Sequence, residues 1–131
     1  MGRVYQVTPP KYLIDTNILL WAVNRDARLS AEHAAILQAR RGLIISAVSV
    51  WEIAIKRSVN KLRLDGDILE VIKARAIPIL AITETHAARV EHLPHHHRDP
   101  FDRLLIAQAL VEGLTLMTAD RHLSAYDIAL V

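Results

Sequence analysis

Residues His97 to Asp120 read HRDPFDRLLIAQALVEGLTLMTAD. Asp99 followed by Pro100 opens a helix, since proline is favoured in a first turn whose amides have no helical partner. The helical pattern runs to Glu112, and Gly113 stops it where a left-handed backbone is cheap for glycine. Thr115 to Met117 then reads as a short buried strand, with Asp120 just after it. A helix feeding an apolar strand is the repeating unit of an α/β sheet, and the rest of the chain extends the pattern.

Upstream, Lys11 to Ile14 is a buried strand ending at Asp15, and Thr16 to Val23 carries an apolar helical pattern. Ala31 to Arg41 is a second helix, capped by Ser30 and ended by Gly42. Leu43 to Ile45 is a strand, Ser49 to Val59 a helix closed by Asn60, and Asp67 to Arg75 another helix. A strand follows at Ile77 to Leu80, then a helix over Thr83 to His92 with Pro94 beyond it. Downstream, Arg121 to Ser124 is a short turn or helix and Ile128 to Leu130 a last strand. Short apolar strands alternating with amphipathic helices predict an α/β fold, a parallel sheet covered on both faces. Strand order cannot be read from periodicity.

The 131 residues suit one domain, taken as residues 11–131, behind a ten-residue leader ending in Pro9-Pro10. Apolar residues make up 52%, and mean hydropathy is +0.21. That excess fits either apolar surface kept for a partner or an Ala- and Leu-rich core. The longest stretch free of charge, Gly42 to Trp51, is 10 residues, half of what a membrane span needs. MGRVYQVTPP holds no apolar signal core, so a cytoplasmic protein is expected. With no cysteine, disulfides, thiolate metal sites and thiol nucleophiles are excluded. The net charge of +2 neither demands nor excludes nucleic acid.

The acids carry more information. Asp15 and Asp120 each follow a strand, so both project from the carboxyl edge of the sheet, where α/β folds place their functional crevice. Glu52 lies at the start of the helix after the second strand. Asp102 opens a helix that must return to the opposite edge before Thr115, so it starts at the carboxyl edge too. Each acid alone has a structural explanation. Ser49 and Glu52 have capping-box spacing, Asp99 suits a helix cap, Asp102 suits a helix dipole, and Asp15 and Asp120 suit caps. Caps need not all fall on one edge, however, and these do. Carboxylates so close raise each other's pKa, so they take up protons or gather around a cation. All-oxygen donors suit Mg²⁺ or Mn²⁺. Two such ions about 3.5–4 Å apart can activate a water and stabilise the leaving oxygen in phosphodiester hydrolysis.

The segments YLIDTN (Tyr12 to Asn17), SAVSVWEIAIK (Ser46 to Lys56), HRDPFDRLLIAQAL (His97 to Leu110) and LMTAD (Leu116 to Asp120) resemble, in order and spacing, the four acidic motifs of PIN domains. The chain is especially similar to the VapC toxins of VapBC toxin–antitoxin pairs. The resemblance implies a three-layer fold with a parallel sheet of order 3-2-1-4-5. It implies a Mg²⁺- or Mn²⁺-dependent endoribonuclease, the toxin of a type II toxin–antitoxin system. The implied partners are RNA, a VapB-like antitoxin and a second copy of the chain. Asp15, Glu52, Asp102 and Asp120 become the metal-binding catalytic acids, with supporting hydrogen bonds from Asn17 and Thr118. Asp99 is an accessory acid and preferentially the helix cap. Two features depart from the pattern: Asn17, where relatives often carry His, and the leader before Lys11.

Arg98, Arg103 and Arg121 flank the acids and could hold RNA phosphates, or in the case of Arg103 neutralise the cluster. Trp21 and Trp51 read as core residues, with antitoxin docking as the alternative. His95-His96-His97 are too closely spaced for a zinc motif and read as a polar loop near the site. His33, His86, His92 and His122 have no partner pattern. A receiver-type signalling module would need adjacent acids after the first strand and a late lysine. Thr16-Asn17 follow Asp15, and no lysine follows Lys73. A haloacid-dehalogenase-like phosphatase needs a second Asp where Asn17 stands. A PIN-type nuclease acting on DNA, a non-toxin RNA-processing enzyme and a catalytically idle PIN module remain the alternatives.

Overall fold

A computed structural model describes residues 8–131, so most of the expected leader lies outside the described residues. Four parallel strands form the sheet: β1 (Tyr12–Ile14), β2 (Leu43–Ser46), β3 (Ile79–Leu80) and β4 (Thr115–Met117), in the order β3-β2-β1-β4. β1 is central, with Tyr12 in register with Leu43 on one side and Thr115 on the other.

The two cores follow from strand alternation, successive side chains pointing to opposite faces. Leu13, Ile44 and Leu116 point to the face covered by α6 (Pro100–Glu112), against which α5 (Glu84–Arg89) packs. Ile14, Ile45 and Met117 point to the other face, against Ile18 of α1 (Thr16–Val23), Ile53 of α3 (Ala47–Ser58) and Ile72 of α4 (Ile68–Ala74). Ile36 and Leu37 of α2 (Ala31–Ala39) pack at the edge of this second core. Both faces are thus covered, which explains why the strands are apolar without alternation.

The expected fifth strand is reduced to a single parallel bridge, Leu116 to Leu130, beside β4. Its place in the order is kept, but Ile128 donates its amide to Tyr126 in the preceding turn, so pairing begins only after it. Other boundaries move for local reasons. Arg40, not Gly42, ends α2 in the left-handed conformation (φ 55°). Gly42 (φ 68°) instead lets β1 approach, since a Cβ there would lie 3.0 Å from the Lys11 Cβ. β2 runs through Ser46, whose Oγ caps α3 by accepting from the Val48 amide. Ser49 is therefore inside the helix, and no Ser49–Glu52 capping box exists. Strand β3 starts only at Ile79, and the helix expected over Thr83 to His92 splits into α5 and a 3-10 turn, Val90–His92.

Trp51 is not core: it is 50% exposed and meets Phe101 edge-on, centroids 4.9 Å apart. Trp21 is half-buried against the second core, with Arg28 over its ring. No helix among the described residues is long and apolar enough to cross a membrane.

Candidate active site

The carboxyl ends of β1, β2 and β4 bring the acids to one rim. Asp15 follows β1 directly and caps α1, its Oδ1 accepting from the Ile18 amide at 2.8 Å. Thr118, just past β4, bridges two acids. Its side chain hydrogen-bonds Asp15, and its Oγ1 accepts the Asp120 amide at 3.0 Å. Glu52 lies in the second turn of α3, held by two buried polar contacts at the start of that helix. Ser49 Oγ meets Thr16 Oγ1 at 2.9 Å, tying α3 to α1, and the Ser46 hydroxyl donates to Gln108 Oε1, tying it to α6. Asp102 sits in the first turn of α6, whose N-cap is Asp99 through the Phe101 and Asp102 amides.

Asp15, Thr16, Asn17, Glu52, Lys56, Asp99 and Asp102 line one pocket. Asp15 and Glu52 are buried and Asp102 is partly so. Burial is the main force raising the Asp15 carboxyl from 3.8 to about 6, and the Asp102 charge adds to it. The bonds from Thr118 and Ile18 pull the other way. Asp102 is also raised, first by burial and then by the charges of Asp99 and Glu52, against a hydrogen bond from His97. The Lys56 ammonium donates to Glu52 Oε2, while Glu52 Oε1 is buried with no hydrogen-bond partner among the described residues.

Asp120 stands to one side, in an adjoining cleft with Thr118, Arg121, Ser30 and His33, and His97 links it to the rest. His97 Nδ1 accepts the Arg98 amide, so Nε2 carries the proton and donates to Asp102 Oδ2 at 2.7 Å. Asp120 Oδ2 lies 3.7 Å from the same nitrogen. Donor atoms of His97, Asp102 and Asp120 fall within 4.8 Å of one another.

A buried carboxylate oxygen without a partner beside two further acids is a fit for a hard cation, because such an oxygen is costly to leave unsatisfied. The residues present therefore suit a hard divalent cation.

The family model of the PIN domain matches residues 12–129. The chain belongs to the PIN domain family. Ribonuclease VapC22 of Mycobacterium tuberculosis (strain ATCC 25618 / H37Rv) is 28% identical to it over 117 residues, 87% of this chain and 90% of the relative. Among solved structures, a chain of a toxin–antitoxin complex from Klebsiella pneumoniae superposes with a TM-score of 0.65 at 20% identity, covering 92% of this chain and 96% of that one. A chain of FitAcB from Neisseria gonorrhoeae gives 0.63 at 23% identity, covering 91% and 95%.

Within this PIN domain, several side chains depart from expectation. Arg103 neither neutralises the acids nor reaches solvent. It is buried, and its guanidinium donates to the carbonyls of Pro94, Val90 and Leu93 and to the Tyr126 hydroxyl. Arg98 and Arg121 are exposed beside the acids. Asn17 is exposed at the pocket wall and has no hydrogen bond to an acid among the described residues. His97 is drawn into the acid group, although consecutive histidines offered no ligand spacing to flag it. His86 is a buried structural residue, its Nδ1 accepting the Thr83 amide and its Nε2 donating to Glu112. A Thr three residues before a residue with a side-chain acceptor was the one available signal.

Proposed function

We propose that this PIN domain is the toxin of a type II toxin–antitoxin pair, an endoribonuclease that requires Mg²⁺ or Mn²⁺. The observation that carries the reading is the buried, unpartnered Glu52 Oε1 in one pocket with Asp15 and Asp102. Similarity to a protein named as a ribonuclease over 87% of the chain supports the reaction class. Asp15, Glu52, Asp102 and Asp120 would hold the metal. Bound there, a divalent cation supplies Lewis-acid chemistry, acidifying water and stabilising the departing oxygen of a phosphodiester.

The chain's own residues do the positioning. Thr118 orients Asp15 and anchors the Asp120 backbone, Asp99 fixes the start of α6, and His97 holds a proton at Nε2 between Asp102 and Asp120. The exposed Arg98 and Arg121 are placed to meet RNA phosphates, which bind guanidinium in a bidentate manner. Arg103 is left out of the RNA contacts because the loop carbonyls occupy it. Exposed Trp51 and Ile55 on α3 and Val59 at its C-cap follow one another at helical spacing. Such an apolar stripe suits a protein partner, and we assign it to a VapB-like antitoxin or a second copy. Structural relatives include a chain of a toxin–antitoxin complex from Klebsiella pneumoniae, which supports the former.

The test is incubation of antitoxin-free protein with total RNA and Mg²⁺ or Mn²⁺, beside Asp102→Asn and an EDTA control. Discrete cleavage lost in both controls is expected. Equal behaviour of wild type and Asp102→Asn, both folded and metal-loaded, would defeat the ribonuclease reading and favour DNA cleavage or pure binding.

A further inference from the structure

The acid pocket already contains one cation. Lys56 lies one turn after Glu52 on α3, and its ammonium reaches Glu52 Oε2 in the pocket that Asp15, Asp99 and Asp102 also line. The contact differs from a surface pair, because the Glu52 side chain is 7% exposed and that of Lys56 is 39%. The carboxylate is fixed and desolvated, and the lysine reaches in from solvent on a flexible stem. Among the described residues, Lys56 is the one basic residue lining this pocket. Its neighbour Arg57 turns away to the Gly66 carbonyl at 2.6 Å, and Arg103 is held by loop carbonyls. Among the described residues, four carboxylates therefore face a single ammonium that satisfies only one oxygen of Glu52, the other being buried without a partner.

We propose that Lys56 is the resident counter-ion of the pocket. It holds Glu52 while the site is metal-free and must yield that carboxylate when a divalent ion binds. The inference rests on the metal-site reading given above and adds a regulatory consequence: Lys56 sets the metal concentration at which the site fills. Two cations on one carboxylate repel, so each weakens the hold of the other. The lysine can withdraw without disturbing α3, because only its side-chain torsions need change. The exchange moves no proton and breaks no covalent bond.

Titration calorimetry with Mn²⁺ tests this on wild type, Lys56→Met, Lys56→Arg and Arg57→Met, with circular dichroism to verify each fold. Lys56→Met is expected to bind Mn²⁺ about tenfold more tightly, the scale of one nearby unit charge after screening. Lys56→Arg keeps the wild-type affinity, and so does Arg57→Met, which removes the same charge one residue away. Lys56→Gln gives the same measurement if the Met variant does not fold. Unchanged or weaker binding in folded Lys56→Met overturns the proposal, as does an equal gain in Arg57→Met. If wild type takes up no Mn²⁺, the metal-site reading itself falls and this inference with it, an outcome separable from the others.

Discussion

Asp15 carries the strongest conflict in the chain between folding and function. Burial raises its carboxyl from 3.8 to about 6, so at neutral pH it is a buried anion among other anions. A group whose folded pKa lies above its unfolded value stabilises the native state fully below the unfolded value. That contribution is lost as pH rises through the folded one. The metal-free protein should therefore lose about 2 kcal/mol from this residue between pH 4 and pH 7. Asp15→Asn keeps an acceptor for the Ile18 amide and removes the charge. In EDTA it should match wild type near pH 4 and exceed it in urea-unfolding stability at pH 7. Parallel pH profiles for the two proteins would mean that Asp15 is not strained by its surroundings. At this scale the sequence reveals which acids meet at one edge better than what they touch. Asp15, Glu52 and Asp102 are legible because strand ends and helix starts fix their edge. His97 and Arg103 are not, because a loop path decides whether His97 meets Asp102 or Arg103 meets backbone carbonyls. Periodicity contains no information about that path.

The elements were legible in type and blurred at their ends. α1 and β4 begin and end where the pattern places them, since Asp15 and Gly113 mark their approaches clearly. α3 starts earlier because Ser46, not Ser49, caps it, and two serines three residues apart are equivalent to a propensity argument. The structure separates their roles energetically. Ser46→Ala removes the cap and leaves Gln108 Oε1 buried without its donor, a loss of about 2 kcal/mol or more. Ser49→Ala removes one buried hydroxyl pair with Thr16 and should cost less. Chemical denaturation of both variants decides it, and a larger loss in Ser49→Ala would reverse the assignment of the cap. Arg103 makes an analogous point for the loop before α6. Arg103→Met leaves the carbonyls of Val90, Leu93 and Pro94 unsatisfied, which predicts a loss of about 3 kcal/mol by urea unfolding. Stability within about 0.5 kcal/mol of wild type would mean that water replaces the guanidinium freely.

For the molecule as a whole, the two-sided parallel sheet was legible because short, wholly apolar strands alternate with helices along the chain, while the strand order came only from the resemblance to PIN domains. The fifth position is held by a single bridge, an outcome set by how the Tyr126 turn uses the Ile128 amide. What the whole fold achieves is to bring charges from four distant segments to one rim, and that arrangement opposes its own stability when no cation is present. A ligand that binds only the native state stabilises it by mass action, by about 2.7 kcal/mol at a hundred times its dissociation constant. For a chain of this size that corresponds to a rise of about 10 °C in melting temperature. Mn²⁺ at that level should therefore raise the melting temperature of wild type. It should do so far less for Glu52→Gln, which lacks the charge on the buried oxygens, and Ca²⁺-free EDTA buffer should abolish the gain. Equal Mn²⁺ stabilisation of both proteins would place the ion elsewhere and separate the acid rim from metal binding altogether.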